Sequence, residues 1–301
     1  MNRKAFLKNS LFGTAGIGLA LNNLSCDSMK RITILHTNDV HSHIEPFSKD
    51  HSEFPNKGGF ERRSTIINKI RKENPNTLLL DAGDIFQGTP YFNFYGGEIE
   101  FKLMSMLKYD AVTIGNHDFD NGIDGLEKQL PNAKFDIISS NYDFTNTVLD
   151  SKINDYKIYN KSGIKIGVFG LGIELEGLVS KELYKETKYL NPIEIANDTT
   201  KKLKETENCD LVICLSHLGY KYEKFPSRIC DVNLAKETKD IDLIIGGHTH
   251  TFMNKPLITY NKAGKKVLIN QAGCFGLYLG RIDFLFDSNN NKIFNSNLLM
   301  I

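Results

Sequence analysis

The 301-residue chain lacks several features that would assign it to common protein classes. It has no Cys-x-x-Cys pair, which excludes a structural zinc site of that kind. It has no linker rich in proline, glycine or serine, no repeat and no low-complexity tract, so we expect one domain. Its 37 basic side chains nearly balance 36 acidic ones, and this absence of a basic excess argues against nucleic-acid binding.

Cysteine is also scarce. Four cysteines follow Cys26, at positions 209, 214, 230 and 274, and four such widely spaced residues do not make a dense disulfide framework. Cys214 lies inside an apolar run, so we expect it to be buried as a small hydrophobic side chain. The pattern leaves any disulfide pairing open.

The N-terminal apolar run, residues 11–21, is too short to span a bilayer. Because it follows the basic segment 3–8, residues 1–26 are typical of an export signal. The basic segment resembles a twin-arginine signal with one arginine replaced by lysine. Ser25-Cys26 resembles the end of a lipoprotein signal, although Asn23 stands where such signals have an apolar residue. We expect a periplasmic or cell-envelope protein that contacts the membrane, if at all, through a lipid on Cys26.

Short apolar runs alternate with helical patterns from Ile32 onward, which is typical of an α/β fold. Runs that are apolar throughout predict strands buried on both faces. The predicted strands are Ile32–Leu35, Thr77–Leu80, Ala111–Ile114, Ile137–Ile138, Ile164–Phe169, Leu211–Leu215, Ile241–Ile245, Val267–Ile269, Ile282–Phe286 and Ile293–Phe294. The predicted helices are Phe60–Lys72, Gly97–Lys108 and a helix that begins at Pro192 after the cap residue Asn191.

Five of these strands end in residues that can bind a metal. They are Asp39 and His41, Asp84, Asn116 and His117, His217, and His248 and His250. Taken singly, an aspartate or asparagine after a strand is most often a turn residue or a helix cap. Ligands of open α/β sheets collect at the carboxyl ends of strands, so the repetition at five strand ends favours a metal site.

All eight residues offer oxygen or nitrogen donors and none offers a thiolate, and seven of them taken as ligands make a set that suits zinc, manganese or iron. One ion cannot use seven ligands, but two divalent ions that share a carboxylate can. Two-metal sites with ions roughly 3.5–4 Å apart are used in phosphoryl transfer. Two such ions outweigh the charges of Asp39 and Asp84, so the site would attract a phosphate dianion.

The strand-end motifs resemble the metal-binding blocks of the calcineurin-like metallophosphoesterases. The blocks are Asp39-x-His41, Gly83-Asp84, Gly115-Asn-His-Asp118, His217 and Gly246-Gly-His-Thr-His250. The segments 34–39, 58–61 and 84–90 are similar to the bacterial 5'-nucleotidase (UDP-sugar hydrolase) branch. The resemblance covers about residues 31–300 and implies a four-layer α-β-β-α sandwich with mixed sheets, so we place one metallophosphoesterase domain at 31–301.

The resemblance also implies a role for each residue. One metal would be bound by Asp39, His41, Asp84 and His250, and the other by Asp84, Asn116, His217 and His248. A hydroxide that bridges the metals would attack phosphorus. Asn116 and His117 would contact the substrate, and His117, oriented by Asp120, would assist the leaving group.

The implied activity is hydrolysis of phosphomonoesters, foremost nucleoside 5'-monophosphates. Members of this branch usually carry a C-terminal nucleotide-binding domain, and the sequence ends at Ile301 without one. Two alternatives therefore stay open: a 2',3'-cyclic-nucleotide phosphodiesterase, and a catalytic subunit that needs a separate protein carrying that domain.

Several neighbouring residues receive lesser roles. We expect Asp81 and Asp118 to hydrogen-bond loop backbone or to orient a ligand histidine. His43 is interpreted as a neighbour of the metal ligands. The aromatic segment Tyr91–Tyr95 is interpreted as a packing or surface element rather than as a platform for the base.

Overall fold

The computed structural model describes residues 29–301, so the predicted export signal and Cys26 lie outside the described residues. Within this part of the chain, none of the helices combines the length and the apolar character that crossing a membrane requires. The four cysteines at positions 209, 214, 230 and 274 are buried and unpaired, and Cys214 is fully buried, as predicted.

The strands of the described chain, in order, are β1 (Lys30–Thr37), β2 (Thr77–Asp81), β3 (Ala111–Val112), β4 (Asp136–Ile137), β5 (Tyr142–Asp143), β6 (Tyr156–Lys161), β7 (Ile164–Leu171), β8 (Lys188–Tyr189), β9 (Leu211–Ser216), β10 (Leu243–Gly246), β11 (Leu257–Tyr260), β12 (Lys266–Asn270), β13 (Tyr278–Phe286) and β14 (Lys292–Met300). The α-helices are α1 (Phe60–Glu73), α2 (Pro90–Tyr95), α3 (Glu98–Met106), α4 (Gly122–Gln129), α5 (Lys181–Tyr184), α6 (Pro192–Lys201) and α7 (Asp231–Glu237). Short 3-10 turns lie at His117–Phe119 and Leu130–Asn132, and a π-helical turn, Lys202–Thr206, continues α6.

Two six-stranded sheets form the centre of the fold. The first has the order β14-β13-β1-β2-β3-β4, with β1 to β4 parallel and the last two strands of the chain antiparallel. The second has the order β11-β12-β10-β9-β7-β6, with antiparallel strands only at its edges. A small pair, β5 and β8, stands apart. The mixed sheets implied by the family resemblance are confirmed.

The sheets pack face to face and helices cover both outer faces. Ile34 and Leu80 of the first sheet share a core with Ile213 of the second, whereas Leu35 and Leu79 face α1 and α3 on the outside. On the other side, Val212 and Ile244 pack against α6 and α7. Alternate residues of each central strand thus serve two cores, which explains why these strands are apolar throughout. The four-layer α-β-β-α architecture is confirmed.

One strand boundary was predicted wrongly, and one short helix was not predicted. β10 begins at Leu243, not at Ile241. The reason is that the Val212 N–H near the start of β9 donates to the Asp242 carboxylate at 2.9 Å, so it bonds to a side chain and not to a strand backbone. The segment 90–95, which has no regular pattern, forms the helix α2. Pro90 is favourable in its first turn, and Gly96 ends it in the left-handed conformation with φ of 59°.

Candidate metal centre

The predicted ligands lie on loops that follow β1, β2, β3, β9 and β10, at one edge of the sandwich. Five of them adopt the left-handed backbone conformation that non-glycine residues rarely adopt. These are Asp39, His41, Asp84, His248 and His250, with φ between 49° and 69°. Such strained conformations persist only where surrounding structure fixes them, and they cluster at functional sites.

Glycines allow the loops after β2 and β3 to touch. A Cβ atom on Gly115 would lie 2.2 Å from Asp84 Oδ1, and one on Gly83 would lie 2.6 Å from the Gly115 nitrogen. Neither contact is sterically possible, so any side chain at these positions would push Asp84 away from the other ligands.

Asp39, His41 and His250 form the first donor group, with ligand atoms within 4.8 Å of one another. His41 Nε2 lies 3.0 Å from His250 Nε2, and His250 Nε2 lies 3.4 Å from Asp39 Oδ1. The Asp39 carboxylate also accepts the His248 N–H at 2.9 Å, which ties the β1 loop to the β10 loop.

Asp84, His217 and His248 form the second donor group. His217 Nε2 lies 3.0 Å from Asp84 Oδ2, and His248 Nδ1 lies 2.9 Å from Asn116 Oδ1. The structure therefore brings Asn116 to the second group, beside His248.

Asp84, a member of the second group, also faces His41 of the first group. Its Oδ2 atom is 3.0 Å from His217 Nε2 and 3.9 Å from His41 Nε2, while the carboxylate is almost fully buried. Burial raises the pKa of Asp84, but the adjacent His217 outweighs burial and holds the pKa below its ordinary value. A buried carboxylate of this kind needs a cationic partner.

His217 tests whether these residues fit metal ions. Its Nδ1 lies 2.6 Å from the carbonyl oxygen of Ala82, which can only accept, so Nδ1 carries the proton and Nε2 is free to bind. Nε2 is buried and makes no hydrogen bond of acceptable geometry, although Asp84 Oδ2 is only 3.0 Å away. A cation between these two acceptors would satisfy both, so the donor set fits two divalent ions.

Without a metal, protonation is the other way to satisfy His217. Burial lowers the pKa of His217, but Asp84 and then Asp39 outweigh it and raise the pKa to about 10. Burial, together with the neighbouring His217, lowers the pKa of His248 to about 4, so His248 stays neutral and able to bind. The buried His217 and the half-buried His248 of the second group thus differ in protonation.

His117 and Asp120 form a pair at the rim of the site. His117 Nδ1 lies 2.8 Å from Asp120 Oδ2, and the His117 side chain is 38% exposed. The hydrogen bond to Asp120 is the main cause of a raised pKa of His117, against partial burial. The His117 N–H also donates to Asp84 Oδ1 at 2.8 Å, which fixes the pair relative to the metal ligands.

Asp118 and Asp81 bind loop backbone, as the sequence suggested. Asp118 accepts the N–H groups of Asp84, Ile85, Phe86 and Gly115 at 2.8–3.1 Å. Asp81 accepts the N–H of Gly83 at 2.9 Å. Burial, and then the Asp84 carboxylate, raise the pKa of Asp118 to about 7.

Two residues near the ligands were not predicted. Asn38 donates to Asp39 Oδ2 at 2.6 Å and to the carbonyl oxygen of Gly273 at 2.7 Å, so it fixes the first ligand against a distant loop. The Phe275 ring lies 6.0 Å from His41 and 5.8 Å from His250. Asn38 could have been suspected because it precedes Asp39, whereas no pattern around Phe275 indicates that it reaches the site.

Comparison with known proteins gives consistent matches. The family model described as calcineurin-like phosphoesterase matches residues 32–252. The 5'-nucleotidase of Homo sapiens is 36% identical over 290 residues, covering 87% of this chain and 48% of the relative. The trifunctional nucleotide phosphoesterase protein YfkN of Bacillus subtilis is 33% identical over 87% of this chain and 18% of its own length.

The solved structure of a 5'-nucleotidase precursor from Thermus thermophilus superposes with a TM-score of 0.81 at 30% identity. The match covers 90% of this chain and 55% of that one. The chain thus spans about half the length, or less, of these relatives.

Proposed function

The chain belongs to the calcineurin-like phosphoesterase family, a family of metal-dependent phosphoester hydrolases, and we propose from this premise that it is a 5'-nucleotidase. The reaction is the hydrolysis of a nucleoside 5'-monophosphate to a nucleoside and phosphate. The names of its 5'-nucleotidase and nucleotide phosphoesterase relatives support a nucleotide substrate.

The observation that carries the proposal is the pair of donor groups on either side of Asp84. We assign Asp39, His41, Asp84 and His250 to one ion and Asp84, Asn116, His217 and His248 to the other. When bound, two divalent ions withdraw charge from the phosphoryl oxygens and activate water. The buried carboxylates of Asp39 and Asp84 hold the cations, and the neutral side chains leave the centre positive enough to attract a phosphate.

His117 supplies the proton that the leaving oxygen needs. Its Nδ1 is engaged by Asp120 at 2.8 Å, so Nε2 is the nitrogen available to the substrate. The carboxylate of Asp120 orients the ring and favours its protonated form. Asn116, which precedes His117, contacts the phosphoryl group from the side of the second donor group.

A substrate panel tests the proposal. Metal-loaded protein should release phosphate from AMP and from 4-nitrophenyl phosphate. Turnover of 2',3'-cyclic AMP but not of AMP would replace the proposal with the phosphodiesterase alternative. Activity on AMP that appears only when a separate nucleotide-binding protein is added would support a partner-dependent catalytic subunit. No phosphate release from any ester would contradict the function.

We also propose that residues 31–301 form one metallophosphoesterase domain and that residues 1–26 export it to the periplasm or cell envelope. The basic and apolar pattern of the leader supports export. Cell fractionation of the full chain tests it, and recovery in the cytoplasm would contradict it. Labelling with a radioactive fatty acid, compared between the full chain and its Cys26→Ser variant, decides whether Cys26 is lipidated.

A further inference from the structure

A cavity of about 520 Å³ opens beside the metal centre, between the loop after β1 and helix α2. The residues on which its chemistry depends are His43, Glu45, Phe47, Tyr91, Phe94 and Tyr95. Its volume falls in the range of about 300–1,000 Å³ that is typical of small-molecule sites. Nothing in the assigned metal chemistry uses this cavity.

Both walls of the cavity start at metal-ligand loops. One wall continues directly from His41, and the other continues from the loop that carries Asp84. The two loops touch: a Cβ atom on Gly88 would lie 2.7 Å from the His41 carbonyl oxygen. The Thr89 hydroxyl also donates to the carbonyl oxygen of Ser42 at 2.9 Å. The cavity is therefore walled by the continuations of two loops that carry metal ligands and that contact each other.

Ring contacts connect the cavity to the ligands. The His43 ring, on the cavity wall, lies 4.5 Å from the Phe275 ring and 4.8 Å from the Phe47 ring. Phe275 in turn lies 6.0 Å from the His41 ring. The rings of Phe275 and His43 thus form a chain of aromatic contacts from the ligand His41 to the cavity wall.

Helix α2 holds its aromatic residues in two different ways. Phe92 is buried and stacks on Phe86 with the ring centroids 5.4 Å apart. Phe94 is 82% exposed and Tyr95 is 52% exposed, and both line the cavity. Of the packing or surface role expected from the sequence, packing fits Phe92 and a surface position fits Phe94 and Tyr95. The exposed rings form an apolar surface of the kind that marks a binding site.

Glu45 provides the polar group of the cavity. Its Oε1 atom accepts the hydroxyl of Tyr91 at 3.1 Å, so one carboxylate oxygen is held while the other can accept from a ligand. A carboxylate accepts hydrogen bonds from hydroxyl and amine groups, and it repels phosphate. Aromatic rings beside such an acceptor match a flat base that carries a ribose.

We propose that this cavity binds the nucleoside part of the substrate, with the base against the rings of Tyr91 and Phe94 and a ribose hydroxyl or base amine on Glu45. The inference rests on the proposed nucleotidase function and adds to it that the base is recognised within this domain. Glu45 would also disfavour substrates that carry a second phosphate at the nucleoside end.

Kinetics of two substrates test the cavity. We would compare kcat/KM for AMP and for glycerol 2-phosphate, which has no base, in metal-loaded wild type, Tyr91→Ala and Phe94→Ala. Stacking of a base on one aromatic ring corresponds to about a fivefold effect or more. Each variant should lose at least that factor on AMP, mainly through KM, and retain its activity on glycerol 2-phosphate. The control Tyr260→Ala removes a ring that is 57% exposed at the far end of the second sheet, and it should change neither substrate.

Equilibrium dialysis with adenosine separates this inference from the proposed function. Adenosine binding should weaken in Tyr91→Ala and Phe94→Ala but not in Tyr260→Ala, whether or not any ester is hydrolysed. An unchanged AMP to glycerol 2-phosphate ratio in both variants, or adenosine binding that ignores them, would overturn the inference. Adenosine binding at the cavity without hydrolysis of any ester would sustain the inference and reject the nucleotidase function.

Discussion

Replacing His117 with asparagine should slow the hydrolysis of AMP while both metals remain bound. The substitution removes the Nε2 proton donor but adds no charge and leaves the ligands untouched. The His117 N–H donates to Asp84 Oδ1 at 2.8 Å, and this bond to a metal ligand does not depend on the side chain, whereas the His117 ring contacts the His41 ring only edge-on, with the centroids 5.3 Å apart. The geometry of the donor groups should therefore survive.

The expected loss in kcat follows from the solvent exposure of the His117 and Asp120 side chains. General acid catalysis contributes about 10²–10⁴-fold. The side chains are 38% and 28% exposed, so solvent screens the pair, and we expect a loss in the lower half of that range, about 100- to 1,000-fold in kcat. A substrate whose leaving group is stable without a proton should not need the proton from His117.

The assay compares AMP with 4-nitrophenyl phosphate, whose leaving group needs no proton, in wild type and His117→Asn. Metal content is measured on the same samples. We expect a loss of about 100-fold or more on AMP and of less than about tenfold on the aryl phosphate. Equal losses on both substrates, or a loss that follows metal content, would refute the general-acid role and make His117 structural.

Three further predictions concern neighbouring groups. The Asp120 hydrogen bond raises the pKa of His117, and a general acid loses activity as pH rises through its pKa. Asp120→Asn should therefore move the basic limb of the pH profile of kcat/KM for AMP to lower pH, and an unmoved limb would contradict the pairing. Asp118→Ala should lower the free energy of unfolding of the metal-free protein in urea by more than about 3 kcal/mol, because four N–H groups lose their acceptor. The exposed control Asp155→Ala should lower it by less than about 0.5 kcal/mol, and equal effects would contradict the role of Asp118. Burial lowers the pKa of His217, but Asp84 and Asp39 outweigh burial and raise it to about 10. Zinc binding at pH 7 should therefore release a proton to an indicator dye, and binding without release would show that His217 is already neutral.

The sequence predicted the layers and the cluster of strand-end residues because both depend on local patterns. An apolar run buried on both faces, such as Leu211–Leu215, and a polar group directly after it are visible in one dimension. Because ligands of open α/β sheets collect at the carboxyl ends of the strands, the polar residues after the strands can be placed at one edge of the sheets without knowledge of the loops. The motifs of the family added the order of the blocks.

Contacts between distant segments could not be predicted in this way. Phe275 reaches His41 because its own N–H donates to the Asp39 carbonyl oxygen at 2.7 Å, a contact across more than two hundred residues. The cavity beside α2 likewise depends on how the segment 43–47 packs against residues 89–95. The sequence therefore predicted a packing or surface role for Tyr91 and Phe94 and could not show that they line a cavity.

The central claim is that two metal ions share Asp84. Elemental analysis of the reconstituted wild type should give two equivalents of divalent metal per chain. Asp84→Asn should bind both ions more weakly, by at least about 10- to 100-fold, since even changes in residues that only support metal ligands have effects of that size. The matched variant His250→Ala, which lacks a ligand of the first group only, should retain one ion. One equivalent or less in the wild type, or loss of a single ion in Asp84→Asn, would contradict the account.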